Sequence, residues 1–191
     1  MALAPNKALA GKKEEPKFTP GAAASYRSRQ TSEKVTIGVL PYFNDEDTLP
    51  VFGKHNPYKY GVLPVLVVIQ NDAAKTIKVQ NLQAVWVGPN GDKVEATPAK
   101  DIRYLTAPRR PSTMPSPLPT GLGKKNPLDA WEIEGRAFAA EVLPPGQSAN
   151  GFFYFQTDHR RGAKFYLTGV KVAATGQDIL FFDVGLDKPA H

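Results

Sequence analysis

The sequence predicts an all-β, antiparallel fold, and three observations carry that expectation. Apolar residues recur with period two in several short runs. Gly, Pro, Asn and Asp signals fall between those runs. Pro at 18 and Gly at 16 leave little room for long helices. With 191 residues, 41% hydrophobic and 10% aromatic, the chain is long enough for one domain with a real core.

Residues 1–34 are rich in Lys, Glu, Ala, Pro and Ser, with few large apolar side chains beyond Phe18 and Tyr26. They read as an extended basic arm whose contacts would run through those two rings. The folded domain is expected over 35–191. Val35, Ile37 and Val39 alternate with Lys34, Thr36 and Gly38, the pattern of a half-buried strand that Pro41 limits. A connection over 44–61 has an acidic tip, Asp45-Glu46-Asp47, followed by an aromatic, proline-bearing turn. "VLPVLVVIQND" is a central strand, apolar on both faces. "LQAVWVGPNGDKVEA" is a hairpin around Pro89-Asn90-Gly91-Asp92, where Asn-Gly supplies the positive φ values a tight turn needs.

Residues 103–127 form a long Pro-rich insertion. "TAPRRPSTMPSPLPTGLGKKNP" holds six prolines, two glycines and no acidic or aromatic residue, which gives it polyproline character. "NPLDAWEIEGRAF" predicts one short helix, capped by Asn126, with Pro127 in its first position and Gly135 at its end. "RAFAAEV" is a weak strand. Pro144-Pro145-Gly146 forces a turn that no strand passes through. "GFFYFQT" then re-enters the sheet with Phe153 and Phe155 on one face and Phe152 and Tyr154 on the other. "KFYLTGVKVAA", the turn "TGQD" and "ILFFDV" make a last hairpin, with a β-bulge expected at Gly169, where the alternation changes phase. The total is seven to nine strands and at most one short helix. That is the pattern of an antiparallel immunoglobulin-like β-sandwich without the Cys pair or tyrosine corner of antibody domains.

"VFGKHNPYKYGVLPVLVVIQND", "NPLDAWEIEGRAFAA" and "LPPGQSANGFFYFQT" together resemble an uncharacterised family of bacterial exported proteins. The resemblance covers roughly residues 35–184. More loosely, the Pro-Gly turn before an aromatic strand is similar to extracytoplasmic immunoglobulin-like accessory domains. The resemblance implies export and brings no catalytic residue with it. Ala8-Leu9-Ala10 before Gly11 has the small-x-small form of a cleavage site without the apolar stretch that should precede it, so a trimmed export signal and an extracytoplasmic location are expected.

The chemistry-bearing residues are sparse. Absence of cysteine excludes disulfides, thiolate metal sites and cysteine nucleophiles. No run approaches the roughly 20 apolar residues of a membrane span. His55, His159 and His191 show no metal-ligand spacing to one another. Asp45-Glu46-Asp47 offers oxygen ligands to a hard cation but lacks the alternation and glycine of a calcium loop, so it reads as a solvated tip. Glu132 and Glu134, flanking Ile133, do not by themselves make a glycosidase. Ser148 lacks the nucleophile-elbow pattern, and "GLGKK" follows prolines rather than a strand. No catalytic residue, metal or cofactor is expected.

The formal net charge of +6 sits in two segments: seven Lys/Arg against three Glu in 1–34, and five against no acid in 103–125. Arg109-Arg110, Lys124-Lys125 and Arg160-Arg161 are candidates for an interaction surface. The basic loop has no interleaved aromatics, so specific nucleic-acid binding is not expected. Tyr42, Phe43, Phe52, Tyr58 and Tyr60 cluster within 42–60 and read in two ways, as interface contacts or as a cap on the end of the sandwich. The leading expectation is a non-enzymatic module that binds another protein or copies of itself. A polyanion or surface-glycan binder is the alternative, followed by a metal-assisted hydrolase using His55 or His159.

Overall fold

The structure, a computed structural model, describes residues 18–53, 56–102, 131–179 and 181–187. Among the described residues, eleven strands form three antiparallel sheets. The first sheet orders β1 (Arg29–Ser32), β2 (Val35–Pro41), β3 (Leu63–Asn71) and β8 (Ser148–Phe155) as β1-β2-β3-β8. The second is three two-residue strands, β10 (Lys171–Val172), β4 (Ile77–Lys78) and β7 (Val142–Leu143). The third orders β11 (Phe182–Gly185), β9 (Lys164–Thr168), β5 (Gln83–Val87) and β6 (Lys93–Glu95).

The first sheet is a middle layer, because β2, β3 and the second half of β8 are buried on both faces. Leu63, Val65, Val67 and Ile69 of β3 and Phe155 of β8 point toward Trp86, Phe165, Leu167, Phe182 and Val184 of the third sheet. Leu66 and Val68 of β3, with Phe152 and Tyr154 of β8, point the other way. The alternation read from "GFFYFQT" therefore holds, and both of its faces are buried. The second face is covered by short helices: α1 (Asp45–Phe52), α2 (Ala99–Ile102) and α3 (Trp131–Gly135), through Val51, Phe52, Ile102 and Ile133. Residues 18–28 cover it as well, through Phe18, Ala23 and Tyr26. Each fully buried side chain of this size contributes on the order of 1.5–3 kcal/mol.

The eleven strands among the described residues exceed the seven to nine expected, because three of them have only two residues, and four further expectations change. Helix content is higher than the single short helix expected, since α1, α2 and α3 are all present. In α1, the supposed loop tip is a helix start. Asn44 caps it by accepting from Asp47 N at 2.8 Å, and Asp45, Glu46 and Asp47 fill the first turn, where carboxylates favour the helix dipole. β2 is buried on both faces rather than half-buried, because residues 18–28 lie across it, with Tyr26 against Gly38. At Gly169 the chain passes from the third sheet to the second rather than making a bulge, and the change of phase keeps Val170 and Val172 in the same core as Phe165 and Leu167.

The hairpin at Gly88–Asp92 forms as expected but by a different turn. Gly91 N donates to Gly88 O at 2.9 Å, with Pro89 and Asn90 central and only Gly91 at positive φ, +84°. This is a type I turn closed by a left-handed glycine. The Pro144-Pro145-Gly146 turn docks on Asn71, whose backbone O accepts from Gly146 N at 2.7 Å and whose N donates to Gln147 O at 2.9 Å. The described part of the arm, 18–34, belongs to the domain: β1 pairs with β2, and Gln30 Oε1 accepts from Asp183 N of β11 at 2.7 Å, joining the edges of two sheets. The start of the expected helix, 126–130, and the whole Pro-rich insertion, 103–127, lie outside the described residues.

Candidate interaction groove

The aromatic cluster of 42–60 caps the fold. Tyr42 is 7% exposed and Phe52 4%. Their rings meet Phe152 edge-on at 5.1 and 4.9 Å. Phe43 stacks on His159 at 4.6 Å with nearly parallel planes, and the Tyr58 hydroxyl accepts from His159 N at 3.2 Å. Tyr60 packs half-buried against the same cluster as Phe152. Phe18 and Tyr26 also contact their own domain. Phe18 packs on Tyr42 at 6.4 Å and Phe152 at 5.9 Å. Burial, followed by the Tyr26 and Asp47 charges, pushes the Tyr42 phenol well up, and burial does the same to Tyr154, which donates neutrally to Ile133 O at 2.7 Å.

The basic candidates do not form a described patch. Arg160 lies 5.7 Å over the Trp86 ring and pairs with Asp92 at 3.0 Å, while Arg161 is exposed. Arg109, Arg110, Lys124, Lys125 and His55 lie outside the described residues. Among the described residues, no three of His, Asp and Glu come together in a metal-holding group. Asp45 is committed elsewhere, to Lys59 and to Asn56 Nδ2 at 2.8 Å, and these partners hold its carboxyl below the usual range.

A groove unmarked by the sequence runs along the edge of β8 that faces away from β3. Residues 136–138 lie against that edge: Phe152 N donates to Arg136 O at 2.8 Å, and Phe138 N donates to Phe152 O at 3.2 Å. Gly151 permits this approach, since a Cβ there would sit 2.3 Å from Phe138 Cα. From the other side, Thr97 N donates to Tyr154 O at 2.7 Å. Between these contacts open two cavities of about 210 Å³ each, which share Leu82, Phe138 and Phe153 as walls. The Phe138 and Phe153 rings stack at 5.7 Å. One cavity ends at Ala96, Thr97 and Pro98, the other at Gln80 and Glu141. A third, of about 150 Å³, adjoins at Ala137 and Phe152 and is lined by Phe18, Arg136, Asn150 and Gly151. The only sequence signal for this site was the apolar alternation Phe138, Ala140, Val142 that marked a weak strand.

No helix among the described residues is long and apolar enough to cross a membrane. No family model matches the chain, and no curated protein matches it. By fold it is similar to the X-ray structure of Northeast Structural Genomics Consortium target SoR45, at 12% identity and a TM-score of 0.35, over 84% of this chain and 97% of that one.

Proposed function

We propose that the chain is a non-enzymatic module that binds another protein or a further copy of itself, on an immunoglobulin-like sandwich that works outside the cytoplasm. The observation that carries this reading is the groove of Leu82, Phe138 and Phe153: open, apolar along those three side chains, polar toward Gln80 and Glu141, and set beside a strand edge. Concave apolar surfaces with a few polar groups at the rim are where extended segments dock. The facing of β2, β3 and β8 against β5 and β9 across Trp86, Phe155 and Phe165 supports the sandwich. The resemblance to exported proteins supports the location. The polyanion reading draws less support, because Arg160, Lys164 and Lys171 are each paired with an aspartate.

A photo-crosslinking residue at Ala139, exposed on the groove wall, tests the reading in the cell that makes the protein. A discrete adduct is expected there and not at Arg29, on the opposite edge of the same sheet. Equal adducts at both positions, or none at Ala139, would remove the groove as the working surface. Cell fractionation of the same culture tests the location.

A further inference from the structure

We propose that Arg136 anchors a carboxylate-binding pocket at the end of the groove. Arg136 Nε is buried with no hydrogen-bond partner, and among the described residues the guanidinium makes no ion pair. Its Cζ sits 5.8 Å over the Phe18 ring, which orients the group while leaving its N–H donors unspent. A cavity of about 150 Å³ opens beside it, walled by Phe18, Asn150, Gly151 and Phe152. That volume holds several waters or a small organic acid.

The chemistry selects the ligand. A buried N–H without an acceptor is unfavourable, so the site gains from an occupant that accepts. The guanidinium presents its donors as a planar fork, which matches the two oxygens of a carboxylate. Asn150, also in the lining, offers a side-chain amide donor. The close crossing at Gly151 holds residues 137 and 138 tight against β8, and Arg136 beside them. Because this pocket shares Ala137 and Phe152 with the groove, a ligand with a carboxylate at one end and an apolar body fits both. The inference thus deepens the groove reading by naming what its occupant carries. The carboxylate is that of a small free acid or of a partner chain.

The test follows the Arg136 Nε–Hε signal of the ¹⁵N-labelled full chain by NMR. Sodium butyrate is expected to give a saturable shift, and butyramide or sodium chloride at matched ionic strength none. Arg136→Gln and Arg136→Lys are expected to weaken butyrate by about 10- to 100-fold, the second because it keeps charge without the fork. Asn150→Ala, at an exposed position, is expected to weaken it by about 2- to 10-fold with the backbone spectrum intact. An acetylated apolar peptide, with its C-terminus free or amidated, separates the sources. Preference for the free acid, with Ala139 and Ala140 signals moving, places the carboxylate on a partner chain. Butyrate binding without that preference keeps the pocket for a small acid and counts against the groove reading alone. A butyrate shift that never saturates, equals that of chloride, or survives Arg136→Gln overturns the proposal.

Discussion

The side-chain amide of Asn71 donates to the backbone carbonyl of Leu143 across 2.9 Å, at a residue with no exposed surface. The same Nδ2 donates to Lys75 O at 2.9 Å, and Oδ1 accepts from Ala73 N at 3.1 Å. One side chain thereby ties β3 of the middle layer to β7 of the small sheet. Asn71→Ala removes the donor to the buried Leu143 bond and to the part-buried Lys75 bond and is expected to lower the unfolding free energy by about 1–3 kcal/mol. Urea denaturation measures it, and a loss below about 1 kcal/mol would show that the tie contributes little.

Phe152 and Phe155 lie on opposite faces of β8, at 2% and 0% exposure. Substituting either by Ala empties a different core, and each is expected to cost about 3–5 kcal/mol. Phe153, only partly buried over the groove, is expected to cost less when replaced by Ala. Thermal or chemical unfolding of the three single variants ranks them. Equal losses at all three positions would contradict the layering.

Asp45 links the cap of α1 to the turn at Pro57–Tyr60, and its carboxyl is held down first by the Lys59 hydrogen bond and then by that of Asn56. A depressed folded-state pKa contributes stability that is fully present above the unfolded carboxylate value and is lost as pH falls through the folded value. Carbon-detected NMR titration is expected to place Asp45 below the ordinary Asp range, with Lys59→Gln moving it back up. A titration that ignores the substitution would refute the assignment.

Phe18 covers Tyr42 and Phe152 and carries the Arg136 cation. Phe18→Ala is expected to cost about 1–2 kcal/mol, since the ring is only half-buried. Its effect on the Arg136 Nε–Hε signal separates this local contact from a global loss of stability. An unmoved signal would mean that the ring does not orient the guanidinium.

Local pattern carried the long elements and failed where pairing is distant. The period of two along β8 assigned Phe152 to Phe155 to their faces, because alternation is a property of one strand alone, and the continuous apolar run of β3 marked a strand buried on both faces. The strands β4, β7 and β10 have two residues each, too few for a period, and exist through partners far along the chain. Pro50 concealed α1, although Asn44 followed by three acids is a helix-start signal. The aromatics of 42–60 read in two ways, as interface contacts or as a cap; in the structure Tyr42 and Phe52 turn inward onto Phe152, and Phe43 stacks on His159. The groove and the Arg136 pocket are not legible in the sequence because their walls come from five separate segments, two of which meet at the Gly151 crossing.

Every site described depends on the register of β8, since a slip of one residue exchanges its two faces. The most direct test is the set of nuclear Overhauser contacts from the Phe152 and Phe155 rings. The predicted result is two disjoint sets, Phe152 with Tyr42 and Phe52, and Phe155 with Phe165. Contacts from Phe152 to Phe165, or from Phe155 to Phe52, would contradict the layering, the groove and the Arg136 pocket together.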